Sequence, residues 1–78
     1  MTGGVFPVVD LELSPMARQT GVAYLHDVFL DAGEELAVSD RLTVRDEGGT
    51  LWDGEVVAVE KVRLGRKYRL HIHRAAAP

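Results

Sequence analysis

The chain has 78 residues, room for one domain, with 46% hydrophobic residues and a net charge of −3. It has no cysteine, which excludes a disulfide framework and a thiolate centre. No apolar run approaches the roughly 18–20 residues of a membrane-spanning helix. Without disulfides, a domain this small depends on its apolar core, a metal or a partner.

Residues 1–7 are expected to be a loose end. They lack the basic and apolar segments of a secretory signal, and glycine stands at position 3 rather than 2, against myristoylation. The expected location is cytoplasmic, with no membrane contact. Residues 8–13 alternate, with Val9, Leu11 and Leu13 on one face and Asp10 and Glu12 on the other, which predicts a strand. Ser14-Pro15 ends it and opens a loop with one helical turn starting at Pro15. Residues 21–30 are rich in β-branched and aromatic side chains, but apolar residues fall on both parities. They predict a strand with a bulge near His26-Asp27, with a short amphipathic helix as the alternative.

Asp31-Ala32-Gly33-Glu34-Glu35 reads as a turn, and residues 41–45 as a strand with Leu42 and Val44 inward. Asp46-Glu47-Gly48-Gly49-Thr50 is a hairpin signal, because its glycines supply the positive φ that tight hairpins need. Residues 51–60 form the partner strand, prolonged by Val62 and Leu64, with Gly54 marking a bulge or bend. Gly65 turns the chain into a last strand, and residues 75–78 are expected to fray. In that last strand Tyr68, Leu70 and Ile72 share one face, and Lys67, Arg69, His71 and His73 the other. Such a segment belongs to a sheet with one dry face and one basic, wet face. Five short strands with little helix predict an all-β fold, a single five-stranded SH3-like or OB-like barrel over residues 1–78. Closing the sheet would also remove its edges.

The charge is polarised. Residues 1–60 carry −9 and residues 61–78 carry +6. A solvated surface is one reading of this asymmetry; a basic face for an anionic partner is the other.

Two stretches carry a resemblance. The run from Gly33 to Val44, with Leu36, Val38, Asp40 and Leu42, resembles the G-x-L-x-V-G-D-x-V run of small β-barrels such as the second domain of translation GTPases. It has one extra residue between Gly33 and Leu36, and Ser39 stands where that run has glycine. The segment from Val38 through the 46–50 turn to Val56 resembles the core of SH3-like and Tudor-like barrels. The resemblance covers about half the chain and implies a small barrel. A Tudor-type reader would also need an aromatic cage, whereas Phe6, Tyr24, Phe29, Trp52 and Tyr68 are scattered along this sequence.

Candidate chemistry is sparse. His71 and His73 sit on one strand face at a spacing that can serve a metal, but zinc needs a third and usually a fourth ligand, with His26 or a carboxylate as the donor. The carboxylate pairs Asp10/Glu12, Glu34/Glu35 and Asp53/Glu55 suit solvated surface better than acid–base work in a cleft. No P-loop, nucleophile elbow or EF-hand spacing is present. The chain therefore reads as a non-enzyme without a cofactor. Trp52 is either core or a partly exposed interface anchor. The basic face comprises Arg41, Arg45, Lys61, Arg63, Arg66, Lys67 and Arg69, with Arg41 and Arg45 expected to join Lys67 and Arg69 in one patch. The expected function is a non-catalytic binding module. Its first form is a protein–protein adaptor or assembly domain that self-associates; the alternative is RNA or DNA backbone binding through the basic face.

Overall fold

The computed structural model describes residues 6–30 and 34–75. In chain order it contains β1 (Val8–Asp10), α1 (Pro15–Thr20), β2 (Val22–His26), a 3-10 turn (Asp27–Phe29), β3 (Arg41–Arg45), β4 (Leu51–Val62) and β5 (Gly65–Arg74). The five strands form one sheet in the order β1-β3-β4-β5-β2, curled into a half-barrel. This is the all-β, barrel-like fold expected from the strand count. β3, β4 and β5 form an antiparallel meander, β2 lies antiparallel on β5, and β1 runs parallel to β3. The expected closure does not occur: β1 and β2 pair only inward, so each is an edge. No helix among the described residues is long and apolar enough to cross a membrane.

Alternation places the core as anticipated in β5, where Tyr68, Leu70 and Ile72 are buried. Leu42 and Val44 of β3, Trp52 and Val56 of β4, Ala23 and Leu25 of β2, and Val9 of β1 complete the inner face. Leu13 and Ala17 of α1 plug this core from outside the sheet, and the partly buried Leu11, Leu30 and Leu36 pack against the core as a whole. The helix starts where Ser14 Oγ accepts from the Ala17 N–H at 3.0 Å, with Pro15 in its first turn. It ends at Gly21, whose φ of +75° lets its N–H reach the Ala17 carbonyl at 2.9 Å.

Several local expectations differ from the structure. The first strand stops at Asp10 rather than running to Leu13, because residues 11–13 leave the sheet to cover the core. The strand expected through residue 30 ends at His26, where the 3-10 turn begins. Gly54 is no bulge. It pairs regularly with Leu42 and Ile72, whose side chains fill the space a Cβ would take. The bulge lies instead between Val56 and Ala58. The ends expected to be loose are tied where they are described: the Pro7 carbonyl accepts from Thr43 at 2.8 Å and the Ala75 N–H donates to Leu51 at 3.2 Å. The rest of those ends, residues 1–5 and 76–78, and residues 31–33 of the expected turn lie outside the described residues.

Ser39, at the position where the resembling run has glycine, has a φ of +81°. Its N–H donates to the Val56 carbonyl at 2.8 Å, and the Asp40 carboxylate accepts from the Ala37 N–H at 2.8 Å, so the conformation is held from both sides. A left-handed non-glycine residue costs about 1–2 kcal/mol, and glycine carries an entropic cost of about 0.5–1 kcal/mol. Ser39→Gly is therefore expected to raise the unfolding free energy by up to about 1 kcal/mol in urea titrations. Gly65, at φ +111°, is the opposite case, because a Cβ there would collide with the Asp27 carboxylate that caps the Arg66 N–H at 3.1 Å. Gly65→Ala is expected to destabilise by about 1–3 kcal/mol in the same assay.

Candidate functional site

The outer face of the sheet follows from the strand register. Arg41 of β3 lies opposite Glu55 of β4, which lies opposite His71 of β5, which lies opposite Val22 of β2. The next row is Thr43, Asp53 and His73. Toward the other end, Ala58, Arg69 and Tyr24 form one row, and Glu60, Lys67 and His26 another. β4 thus sets Asp53 and Glu55 between β3 and β5, and Glu60 opposite Lys67 beyond the end of β3. The face is wet, as expected, but it alternates in sign.

The seven cations of the expected basic face accordingly do not form one patch. The Arg45 guanidinium grips the Asp10 carboxylate, Nε to Oδ1 at 2.6 Å and Nη2 to Oδ2 at 3.1 Å. This hydrogen bond, with the guanidinium charge, holds the Asp10 carboxyl below its ordinary range. Arg66 Nη1 lies 3.1 Å from Glu35 Oε2. Lys67 sits 4.8 Å above the Tyr24 ring and Arg41 lies 5.9 Å from the Phe6 ring centroid. Lys61 and Arg66 face each other near the β4–β5 turn, which also carries Arg63. Arg41 and Arg45 do not join Lys67 and Arg69, because β4 and its carboxylates stand between them.

His71 and His73 are both exposed on this face, in a shallow depression of about 220 Å³ with Arg41, Asp53 and Glu55. Among the described residues, no three histidines or carboxylates converge on a position where a metal would sit. Among those residues the pair finds no third ligand, His26 included.

Trp52 is buried, 7% exposed, and is not an interface anchor. Its indole Nε1 donates to Asp46 Oδ2 at 3.1 Å. Asp46 Oδ1 also accepts from the Gly48 and Thr50 N–H groups, both at 2.9 Å, and Arg18 Nη2 lies 3.6 Å from Oδ2. The Arg18 guanidinium in turn donates to Glu47 Oε2 at 2.8 Å, and Glu47 Oε1 accepts from the Leu13 N–H at 3.2 Å. The β3–β4 turn is thereby stitched to α1 and to the segment that plugs the core. Sequence reading found the turn and missed this network. The available signal was the aspartate opening the turn, since such residues fold back onto the backbone N–H groups that follow.

The two sheet edges differ. β1 is three residues long, follows Pro7 and carries Asp10, features that blunt an edge. β2 has five residues, Val-Ala-Tyr-Leu-His, with neither proline nor a formally charged carboxylate, lysine or arginine. Tyr24 at its centre is 52% exposed. A groove of about 230 Å³ opens beside its first half, between residues 11–17 and residues 22–24. Exposed apolar side chains stand at both ends: Met16 on α1, 66% exposed, and Val28 and Phe29 on the 3-10 turn, 70% and 61% exposed. This open edge was not legible as a site in the sequence, which showed a strand but not its neighbours.

Comparison with protein-family models, curated proteins and solved structures finds no match for this chain.

The Asp46 network has a pH consequence. The Trp52 hydrogen bond, the two backbone N–H groups and the Arg18 charge hold its carboxyl below the ordinary value of 3.8, against the opposing effect of burial. A folded pKa below the unfolded one means that the contribution is fully present above the unfolded value and is lost as pH falls through the folded value. Asp46→Asn is therefore expected to lower the urea midpoint at neutral pH and to flatten its decline on the acid side. Trp52 fluorescence across about pH 2–7 is the readout.

Proposed function

We propose that this chain is a non-catalytic binding module that assembles with protein. The observation that carries the reading is the uncharged, open edge of β2, flanked by exposed Met16, Val28 and Phe29. An incoming strand gains main-chain hydrogen bonds from such an edge and specificity from the side chains beside it. The β3–β4–β5 meander supports an SH3-like relationship, from which the parallel β1 departs.

The alternating charges of the outer face support protein over nucleic acid. Backbone binding to RNA or DNA gains affinity from clustered cations and, for single strands, from exposed aromatic platforms. Here Arg45 and Arg66 are paired with carboxylates, and Asp53, Glu55 and Glu60 interrupt the cations. The second reading, RNA or DNA binding, is favoured by one local feature: Lys61, Arg63, Lys67 and Arg69 gather on the β4–β5 hairpin with Glu60 as the intervening acid.

Light scattering at low and high salt, with and without a pool of short RNA and DNA, separates the two. The expected outcome is a protein-only assembly whose mass is unchanged by nucleic acid. A nucleic-acid complex that dissolves as salt rises, and that Lys67→Glu with Arg69→Glu weakens at least tenfold, would transfer the function to the second reading.

A further inference from the structure

We infer that the β2 edge takes a second copy of this chain, paired antiparallel about a two-fold axis at Tyr24. The inference rests on the assembly reading above and names its partner. It begins with the β2–β5 ladder. The Ile72 N–H donates to the Gly21 carbonyl at 2.9 Å, so this pair is hydrogen-bonded. Antiparallel ladders alternate, which makes Ala23/Leu70 and Leu25/Tyr68 the next bonded pairs and Tyr24/Arg69 a non-bonded one. The Tyr24 N–H and carbonyl therefore point away from β5, into the open edge, with those of Val22 and His26 on either side. The Val22 N–H has a weak local partner, Thr20 Oγ1 at 3.3 Å.

An antiparallel two-fold at Tyr24 sets this residue against itself, each copy donating to and accepting from the other. Val22 then faces His26 of the second copy, twice. The same operation brings the 3-10 turn of one copy alongside the α1 end of the other. Val28 and Phe29 stand at the first of these ends and Met16 at the second, so one apolar contact recurs on both sides of the axis, as a two-fold interface requires. β2 contributes no formal charge from an acid, lysine or arginine, and the Asp27 carboxylate just beyond it accepts from the Arg66 N–H at 3.1 Å. The like charges that fall in one row across the axis are the two Arg69 residues, each opposite Tyr24 in its own copy; their backbones lie three strand spacings apart, about 14 Å, beyond the roughly 8 Å screening length of physiological salt. β1 is not the partner edge, since its length, Pro7 and Asp10 blunt it.

The chain has no cysteine, so one introduced thiol reports the register. Residues opposed in a hydrogen-bonded antiparallel pair have Cα atoms about 5.5 Å apart, within disulfide reach. Tyr24→Cys is expected to form a covalent dimer on mild oxidation. His26→Cys, about four residues out of register with its own copy, is expected not to. Tyr24→Pro removes only an N–H outside the β2–β5 ladder. Together with Tyr24→Lys it is expected to weaken the dimer at least tenfold in concentration-dependent light scattering, with Trp52 emission confirming the fold. Two outcomes would overturn the second-copy inference and leave the assembly reading standing: a dimer that survives both substitutions, or a crosslink at position 26 and not 24. A protein that stays monomeric at every concentration reached would overturn the inference as well. A salt-sensitive nucleic-acid complex would overturn the assembly reading itself.

Discussion

The bulge in β4 is the constraint on which the other elements depend. Val57 and Ala58 together oppose Arg69, so the long strand gains one residue over its partner between Val56 and Ala58. An extra residue bends a strand and increases its twist. It also reverses parity, which puts Val59 rather than Ala58 opposite Tyr68 on the inner side. A flat sheet of this size would leave Tyr68, Leu70 and Leu25 under water. The curl lets one dry face enclose them, and all three are fully buried. The bulge is anchored from β3's side as well. The Val56 N–H donates to the Asp40 carbonyl at 2.9 Å and its carbonyl accepts from Ser39 at 2.8 Å. Ser39 holds its left-handed backbone at this junction, so two departures from regular geometry sit against each other and brace one bend.

The position of β4 also decides the electrostatics. Because it is the middle strand, Asp53 and Glu55 each meet one neighbour on β3 and one on β5, and Glu60, beyond the end of β3, meets Lys67 on β5. Its outward residues include Asp53, Glu55 and Glu60, and its neighbours supply Arg41, His71, His73 and Lys67. The polarised charge of the linear chain is thus folded into rows of alternating sign. Exposed pairs of this kind contribute little to stability. Their effect is on association, since they break the field of this part of the outer face into alternating signs.

Strand content, the dry face of β5, the 46–50 hairpin and the helical turn at Pro15 were legible in the sequence, because each is written in local terms: alternation, turn glycines and a proline after a capping serine. What was not legible was long-range. Gly54 resembles a bulge locally, but its meaning depends on Leu42 and Ile72, twelve and eighteen residues away in the chain. Trp52 was readable as core or anchor until Asp46 was seen to accept its indole N–H. The expectation that Arg41 and Arg45 join Lys67 and Arg69 failed for the same reason: parity says which cations point outward, and only register says which acids lie between them.

The open edge has a cause within the core. Closing the barrel would require β1 to continue until it reached β2. Instead the chain leaves the sheet after Asp10, and Leu13 with Ala17 of α1 fills the space that closure would have emptied. The Arg18–Glu47 pair and the Leu13–Glu47 hydrogen bond tie this plug to the β3–β4 turn. A chain of 78 residues has few apolar side chains to spare, and the plug uses Leu13 and Ala17 to complete the core where a longer β1 would have used them to close the sheet. The main-chain groups of β2 are left over by that solution. An edge so exposed, without charge or proline to blunt it, is a liability in a monomer. Pairing with another strand removes that liability at no cost to the core, which faces the other way.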